Sequence, residues 1–518
     1  MFSKVLKNSS GSQKVVRGGI RSSGLPRREL LKAAAVCTLG AATFNGSPYL
    51  EAVGLTKDSA SPPSPPWTKD LIVYEVATRG FTSPNGPESG TFKSTRGMLP
   101  HLEELGVTAI WLAGYSHCDP HHFFNIWSQY AVIEPDKFDP ALGTEQDFAA
   151  LIDDAHRRGI RVFLDVITHG LMNYSPIIKA HPNWFRGGSW HMTNFDWNGG
   201  HKDLDDWWVN IYTNFVRRYG VDGYRLDVGM FRPDLWEIIR KNAFAAGHPI
   251  AIFSETQTAK RGVTDFTQRQ NIIPPDHCPH CPNRTCNHYL LKDLPGFYER
   301  TYGGPCYYHA SITYADGKKD WGDTKGGGRI VVRVAGLTTD KVGHHAHDAP
   351  DSKGLPYVQL VLDKDPGKGS WLYGCQLDWS EIKEHSHKDM FVDVKKIIAI
   401  RKAHSNILGA WPADKIPNLR AVWHQGNIPV PRPYVRWNDR AAIVVLGNRS
   451  TTTDANLTIH LPLHDIGLGG HAAYKVTDLW SGDPDEIHSE QDFKTFSRTV
   501  KRDKIAGGGL AVYMIEAA

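Results

Sequence analysis

The sequence predicts an α/β fold in which a (β/α)8 (TIM) barrel precedes a C-terminal antiparallel β-sandwich domain. Short apolar, β-rich runs alternate with amphipathic helical stretches from residue 70 to about 405, which is typical of βα units around a parallel sheet. From about residue 410 the helical period fades and alternating apolar and polar stretches begin, which favours a small antiparallel sandwich. We therefore expect the barrel over 69–408 and the β domain over 409–518.

Several elements of the barrel can be located from composition. The candidate strands are LIVYEV (71–76), VTAIWL (107–112), IRVFLDV (160–166), VDGYRLDV (221–228) and PIAIFSE (249–255). The candidate helices are MLPHLEELG (98–106), which Gly106 can terminate, EQDFAALIDDAHRRG (145–159), which starts acidic and ends basic, and DVKKIIAIRKAH (393–404). Residues 256–328 are rich in Gly, Pro and Cys and predict an elaborated loop region. For the last strands, RIVVRVAG (329–336) or the run up to His347 is a candidate, followed by SWLYG (370–374).

Charge is distributed unevenly along the chain. Residues 1–50 contain eight Lys and Arg residues and one acidic residue, which gives this segment a net charge of +7. The whole chain has a net charge of +4, so residues 51–518 have a net charge of about −3. A basic nucleic-acid-binding surface is therefore not expected, and a neutral substrate fits better. Nor does the rest of the chain contain an apolar run of about 18 residues that would predict a membrane-spanning helix.

The basic leader ends in RRELLKAAAVCTLGAATF (27–44), which resembles a twin-arginine export signal with Arg27 and Arg28 as the recognised pair. The alternative is a disordered basic tail. On the first interpretation, the protein is exported to the periplasm or beyond, cleavage falls between about residues 41 and 50, and nothing inserts in the membrane afterwards. Residues 51–68 then read as a Pro/Ser-rich linker.

Six cysteines follow Cys37, and four of them lie within 278–306. Disulfides are the usual state of cysteines in an exported protein. The CxxC-x4-CxH spacing also suits a structural zinc ion, whose ligands would be Cys278, Cys281, Cys286 and His288. Zinc, disulfides and free thiols all remain open, and none of them predicts a catalytic role for this loop.

Four acidic residues follow successive candidate strands: Asp165, Asp227, Glu255 and Asp348. In a barrel of this type the active site is built where the strands end, at their carboxyl face. Arg225 lies two residues before Asp227, so both side chains leave the same face of the strand and the guanidinium should lower the pKa of the carboxyl. Glu255 follows an apolar run, where burial should hold a carboxyl protonated. One acid that attacks and one that donates a proton are the requirements of retaining glycoside cleavage.

The order of these segments resembles the α-amylase superfamily, glycoside hydrolase family 13. Its landmarks are similar to VYEVATRGF near 73–81, HLEELGVTAIWL (101–112), LGTEQDFAALIDDAHRRGIRVFLDV (142–166), VDGYRLDV (221–228), IFSET (252–256) and HHAHD (344–348). The resemblance implies that Asp227 is the nucleophile, Glu255 the general acid/base and Asp348 the acid that stabilises the transition state. It further implies that Arg225 orients Asp227, that His347 binds the same sugar, and that Asp165 braces the site.

Three departures from the family pattern lie around the sugar site. In DVITHG, His169 and Gly170 stand where the family usually has Asn and His, so His169 either replaces the Asn or contacts the sugar from a different angle. Because that Asn often helps to hold calcium in the family, the resemblance leaves a structural calcium open. In HHAHD, Ala346 stands where Asn is common. NIWSQY lacks the usual Gly-Tyr pairing, so the aromatic platform is Trp127, Tyr130 or neither. We interpret these changes as altered specificity.

The sequence thus predicts a retaining hydrolase or transglycosylase that acts on α-glucans or related oligosaccharides and needs no cofactor for its chemistry. Calcium or zinc would be structural. The main alternative is a catalytically silent, amylase-like carbohydrate-binding protein, and a zinc-dependent enzyme centred on the Cys/His loop is a weaker one. The sequence gives no oligomeric state.

Overall fold

A computed structural model describes the following residues of the chain: 61–82, 84–85, 89–120, 129–189, 191–227, 231–254, 266–267, 306–308, 310–314, 328–335, 338–340, 357–361, 385–408, 419–425, 433–448, 453–502 and 509–518.

The helices begin and end where local sequence signals favour it. The capping box at Thr144 is one example: its hydroxyl accepts from the Asp147 amide, and the Asp147 carboxylate accepts from the Thr144 amide. Gly106 adopts the left-handed conformation at the end of the predicted helix 98–106. In chain order the helices are α1 (Thr78–Phe81), α2 (Phe92–Gly97), α3 (Leu99–Leu105), α4 (Glu145–Arg157), α5 (Pro176–Ala180), α6 (Lys202–Tyr219), α7 (Pro233–Ala245), α8 (His385–Ala403) and α9 (Ser405–Leu408).

The first part of the chain supplies most of the parallel strands and two small antiparallel sheets. These strands are β1 (Ile72–Ala77), β2 (Ala109–Ala113), β3 (Ser116–Cys118), β4 (Val132–Phe138), β5 (Arg161–Ile167), β6 (Gly170–Met172), β7 (Phe185–Ser189), β8 (Met192–Phe195), β9 (Gly223–Asp227), β10 (Ala251–Ser254), β11 (Phe266–Thr267) and β12 (Cys306–Tyr308). The small sheets, β3–β4 and β6–β8–β7, lie in the connections that follow β2 and β5.

The central sheet has the order β11-β10-β9-β5-β2-β1-β12, and its neighbouring strands are parallel. Helices α3, α4, α6 and α7 connect successive strands of this sheet, as the alternation in the sequence predicts. The architecture is that of a TIM-barrel-like α/β fold, and the five strands predicted between residues 71 and 255 all belong to it.

The two faces of this sheet bury different residues. Alternate positions on one face form a small apolar cluster at the barrel interior, with Trp111, Phe163 and Phe253 as its large members. Gly223 makes room for that cluster, because a Cβ atom there would lie 2.5 Å from the Phe163 ring and 1.9 Å from the carbonyl oxygen of Ala251. The opposite face packs against the helices in the main core. The odd-numbered positions of β5 and β9 therefore face inward, and this alternation positions the candidate site.

A buried carboxylate, Asp222, ties together the amino-terminal ends of β5 and β9. It accepts hydrogen bonds from Arg161 Nη1 (2.9 Å) and the Val162 amide (2.8 Å), and it lies 2.7 Å from His156 Nε2. Burial would raise the pKa of Asp222, but hydrogen bonds from His156 and His248 outweigh it and hold that pKa below its usual range. This end of the barrel is thus held by ionised groups, and it is the end opposite to the one where Asp165 and Asp227 lie.

Residues 61–68, in the predicted linker, contact the barrel. The Trp67 ring stacks under the Arg161 guanidinium at 4.0 Å and meets the Phe163 ring edge-on at 6.3 Å. The Ser61 hydroxyl donates to Glu237, and Arg240 donates to the carbonyl oxygen of Pro63 at 3.1 Å.

One predicted barrel strand is wrong. RIVVRVAG lies in β14, which pairs antiparallel with its neighbours in a separate sheet. An apolar, β-branched run predicts a buried strand but carries no information on the direction of its partners. The strands of this sheet are β13 (Ala310–Tyr314), β14 (Gly328–Ala335), β15 (Thr338–Asp340) and β16 (Tyr357–Val361). The alternative run up to His347 and the candidate 370–374 include residues outside the described part.

The C-terminal residues form two antiparallel sheets, of order β17-β19-β20-β25-β22-β23 and β18-β21-β24. Side chains from both sheets, including Val444, Ile459 and Phe496, share one apolar core. Other residues of the larger sheet, such as Ile443, join the main core of the barrel. The strands are β17 (Leu419–Ala421), β18 (Trp423–Gln425), β19 (Tyr434–Trp437), β20 (Ala441–Asn448), β21 (Ala455–His460), β22 (Tyr474–Asp478), β23 (Glu486–His488), β24 (Phe496–Val500) and β25 (Gly509–Ala517).

Among the described residues, no helix combines the length and the apolar character that crossing a membrane requires.

Candidate active site

The site is built on the paired ends of β5 and β9. In the register of this parallel pair, Asp165 lies beside Arg225, and Ile167 lies beside Asp227. Asp165, Arg225 and Asp227 lie at even spacings from Phe163 and Gly223 and so continue their inward-facing rows. Three charged side chains therefore project into one end of the barrel, at the carboxyl face where barrel enzymes carry their active sites.

Arg225 connects the two carboxylates. Its Nη1 atom donates to Asp165 Oδ1 at 2.9 Å and to Asp227 Oδ1 at 2.5 Å. The Arg225 side chain is fully buried, and only 3% of the Asp165 side chain and 8% of the Asp227 side chain are exposed. Buried charges persist only when they are paired, so this geometry keeps both carboxylates ionised and fixes the orientation of Asp227. The structure thus shows the contacts of Arg225 with Asp165 and Asp227, while the orienting and bracing roles stay predictions.

The sequence analysis did not predict two aromatic residues that lie at this site. The Trp111 ring, on β2, lies 4.6 Å from the guanidinium carbon of Arg225 and supports its face. Tyr115 is buried just beyond β2; burial raises the pKa of its phenol above the usual range, and the negative charge of Asp165 adds to the effect. Alternation along VTAIWL could have indicated that Trp111 faces the interior of the barrel. Nothing in the sequence could have paired it with Arg225 in particular.

A hydrogen-bond chain also holds the backbone of Asp227. The Thr168 hydroxyl donates to the Asp227 carbonyl oxygen at 2.8 Å, and both residues are buried. The Trp197 indole nitrogen in turn donates to the Thr168 carbonyl oxygen at 2.9 Å. The sequence prediction missed both residues, because the contact joins two segments that lie 59 residues apart.

The altered motif after β5 has a structural basis. His169 is buried, with 7% of its surface exposed, and its carbonyl oxygen accepts from the Phe195 amide at 3.0 Å. Gly170 begins β6, and a Cβ atom there would lie 2.3 Å from the Thr193 carbonyl oxygen on β8. Close approach of β8 thus excludes any side chain at position 170, which accounts for the glycine where the family resemblance leads one to expect histidine.

The remaining predicted site residues are dispersed or undescribed. Tyr130 lies half-buried in the turn before β4 and packs against the main core. The other predicted residues lie outside the described part of the chain: Glu255, Asp348, His347, Trp127, Cys278, Cys281, Cys286 and His288. The structure therefore brings together Asp165, Arg225 and Asp227, with His169 in the segment directly after β5. Within the part that it describes, no group of three or more His, Cys, Asp or Glu side chains could hold a metal ion.

The part of the chain that contains Asp165 is similar to known proteins. Residues 75–175, which contain Asp165, match the family model of the alpha-amylase catalytic domain. A probable alpha-glucosidase of Rhizobium meliloti is 33% identical over 112 residues, which are 22% of this chain and 19% of that protein. The trehalose synthase/amylase TreS of Mycobacterium tuberculosis is 34% identical over 129 residues, 25% of this chain and 19% of that protein. The chain thus spans about a fifth of the length of these relatives.

Solved structures extend the likeness over most of the fold. A noncanonic maltogenic alpha-amylase, AmyB from Thermotoga neapolitana, superposes with a TM-score of 0.56 at 16% identity, covering 87% of this chain and 99% of that one. The alpha-amylase GTA from Geobacillus thermoleovorans, solved with acarbose, gives 0.53 at 14% identity, covering 87% and 99%. At these identities the likeness establishes the fold alone. Together, the family model and the sequence relatives show that residues 75–175 resemble the catalytic domain of alpha-amylases.

Proposed function

We propose that the chain is a retaining α-glycosidase that acts on α-glucans or related oligosaccharides by double displacement. The observation that carries the proposal is the buried group of Asp165, Arg225 and Asp227 at the carboxyl face of a TIM-barrel-like fold. An ionised, oriented carboxylate at this position suits attack on an anomeric carbon. Asp165 accepts from the same Nη1 atom as Asp227, and Trp111 supports the face of the guanidinium. Of the two carboxylates, Asp227 is the last residue of its strand and has the more exposed side chain, so we assign the attack to it.

In the proposed mechanism the Asp227 carboxylate attacks the anomeric carbon while Glu255 donates a proton to the leaving glycosidic oxygen. The bond between the sugar and that oxygen breaks, and a covalent glycosyl-enzyme forms at Asp227. Glu255 then removes a proton from an incoming hydroxyl, which displaces Asp227 and restores both groups. Water as acceptor gives hydrolysis, and a sugar hydroxyl gives transglycosylation.

The position of Glu255 in this mechanism follows from strand alternation. Ala251 and Phe253 of β10 belong to the apolar cluster at the barrel interior. They pair with Gly223 and Arg225 of β9, respectively. The next inward position in sequence is 255, and continuing the register by two residues would bring it beside Asp227. Retaining glycosidases need their two carboxyl groups about 5–5.5 Å apart. Neighbouring strands lie about 4.7–4.9 Å apart, so two carboxyl side chains at paired positions could reach that separation.

The other predicted residues take supporting roles. We infer that Asp348 stabilises the transition state, that His347 and His169 bind the same sugar, and that Trp127 or Tyr130 forms the aromatic platform. The proposed chemistry needs no cofactor. Calcium would be structural, as would zinc or disulfides at Cys278, Cys281, Cys286 and His288. Metal analysis before and after chelation would test this: a loss of turnover that parallels the loss of a metal, in a protein whose circular dichroism shows that it stays folded, would contradict a structural role.

The decisive experiment combines turnover with covalent trapping. The mature protein is incubated with aryl α-glycosides, α-glucans and trehalose, beside Asp227→Asn and Glu255→Gln. Asp206→Asn is a matched control, because it makes the same substitution in a carboxylate that pairs with Lys202 on the surface of α6. We expect turnover by the wild type and the control only, and a fluorinated glycosyl fluoride should label the peptide that contains Asp227. Labelling of another residue would contradict the assignment.

One observation favours a second candidate function. The segment after β5 departs from the family pattern at His169 and Gly170, and departures at a sugar site are also expected in a protein that binds carbohydrate without cleaving it. This catalytically silent function would be supported if α-glucans bind to wild type and Asp227→Asn equally and neither form turns over any compound of the panel.

We also infer export through a twin-arginine signal in residues 1–50, supported by the charge and order of that segment alone. Replacement of Arg27 and Arg28 by lysine keeps the charge, so accumulation of the unprocessed precursor inside the cell would support recognition of the pair. Unchanged export of this variant would contradict it.

A further inference from the structure

We infer that Thr168 is a positioning residue for Asp227, and that it acts by fixing the backbone at the end of β9. The inference rests on the proposed function, because it assumes that Asp227 is the nucleophile. The inference goes beyond the proposed function because it assigns a role to Thr168, which is not among the predicted site residues.

The end of a strand is where a reactive carboxylate is least constrained. Within a sheet, ladder hydrogen bonds fix each backbone carbonyl, but this support stops where the pairing stops. Asp227 is the last residue of β9 and pairs with Ile167 at the end of β5. Thr168 follows directly, and its hydroxyl, with the whole residue buried, donates to the Asp227 carbonyl oxygen at 2.8 Å. The side chain thus continues the β5–β9 ladder by one hydrogen bond.

Thr168 is itself held in place. Its carbonyl oxygen accepts from the indole nitrogen of Trp197 at 2.9 Å. The Trp197 ring packs against Phe195, with centroids 4.9 Å apart, and edge-on against Trp208 on α6 at 5.0 Å. This aromatic cluster therefore holds the backbone of Thr168, and the Thr168 hydroxyl holds the peptide unit of Asp227.

Arg225 and Thr168 constrain different parts of the same residue. Arg225 holds one carboxylate oxygen at 2.5 Å, while Thr168 holds the backbone that carries the side chain. An attacking oxygen has to lie within a few tenths of an ångström of its productive position, since a misplacement of about 1 Å can cost about a hundred-fold in rate. Loss of the backbone hydrogen bond is expected to affect the chemical step and to leave the affinity for substrate unaltered.

The test compares Thr168→Val with Thr168→Ser. Valine keeps the shape and removes the donor, whereas serine keeps the donor. The matched control is Thr78→Val, because Thr78 is also buried and its hydroxyl donates to a backbone carbonyl, that of Gly114, at 2.7 Å. Each variant is measured for kcat and KM on an aryl α-glycoside, for the rate of covalent labelling at Asp227, and for stability in urea.

We expect Thr168→Val to lower kcat and the labelling rate about ten-fold, with KM changed by less than about two-fold. Thr168→Ser should restore most of the rate. Thr78→Val should lose stability to a similar extent while keeping kcat. Trp197→Phe, which removes the indole donor and keeps an aromatic ring, should show a smaller fall in kcat than Thr168→Val.

Two outcomes would overturn the inference and can be told apart. If the wild type turns over and is labelled at Asp227, but Thr168→Val does so at the same rate or Thr78→Val loses as much activity, the positioning role is wrong and the proposed function stands. If the wild type is neither active nor labelled, the proposed function is wrong, and the positioning role is wrong with it.

Discussion

Replacing Arg225 by methionine should show how strongly the buried charges depend on each other. The guanidinium is fully buried and donates to both Asp165 and Asp227. Methionine is unbranched and of comparable reach, so it can lie over the Trp111 ring without forcing the strands apart. The substitution therefore removes the cation and leaves the two buried carboxylates without its hydrogen bonds.

The size of the effect follows from the burial of these side chains. Removing one partner of a buried ion pair costs about 3–5 kcal/mol, because the remaining charge stays uncompensated. Since two carboxylates lose the same partner, we expect Arg225→Met to lie at the upper end of that range. Asp165→Asn leaves Asp227 paired with the guanidinium and should cost only about 1–2 kcal/mol. The double variant retains a single unpaired carboxylate, so it should recover about 1–3 kcal/mol relative to the additive expectation.

Urea unfolding of the four proteins at pH 7 and at pH 4 is the appropriate measurement. At the lower pH the carboxylates that have lost their cation can take up protons, so the stability difference between Arg225→Met and wild type should shrink. A loss below about 1 kcal/mol at pH 7, or a double variant that is no more stable than additivity predicts, would refute the description of this group as buried and coupled.

Two further substitutions test the scaffold around the site. Gly170→Ala should lower the free energy of unfolding by more than about 2 kcal/mol, because the new methyl group collides with the Thr193 carbonyl. The control Gly97→Ala should be nearly neutral, because its methyl group meets no atom within 4 Å. Equal thermal stability of the two variants would contradict the close packing of β6 on β8. Asp222→Asn should cost about 2 kcal/mol near neutral pH. The pKa of Asp222 is depressed in the folded protein. Its contribution to the free energy of unfolding is therefore complete above the unfolded-state pKa of about 3.9 and disappears as the pH falls through the folded-state pKa. Urea unfolding should show the stability difference between wild type and Asp222→Asn shrinking below about pH 4 and not at higher pH.

The sequence allowed the strand-borne part of the site to be predicted. Alternation in GYRLD predicts that Arg225 and Asp227 leave the same face of one strand, and the structure shows the contact between their side chains. The contact of Asp165 with Arg225 depends on the pairing of β5 with β9, which alternation alone does not give. Local signals also predicted the helix start at Glu145, from its acidic first turn, and the stop at Gly106, since such signals depend on neighbouring residues alone.

Features that depend on distant segments could not be predicted in the same way. RIVVRVAG has the composition of a barrel strand, yet its direction depends on its partners in space, and these are antiparallel. The Thr168 contact with Asp227 and the Trp111 contact with Arg225 join different strands, and a threonine or tryptophan in an apolar run gives no sign of its partner. Prediction of a glycine at position 170 would have required the path of β8.

The packing of residues 61–68 determines how far the chain can be shortened from its N-terminal side. Trp67 closes the floor of the barrel by lying between Arg161 and Phe163, while Ser61 and Pro63 anchor the preceding turn to α7. A protein trimmed to the first strand would open a water-accessible gap beneath Phe163 and leave one face of Arg161 uncovered. Any processing that leaves a stable, folded protein should therefore cut ahead of Ser61, so that residues 61–68 stay in contact with the barrel.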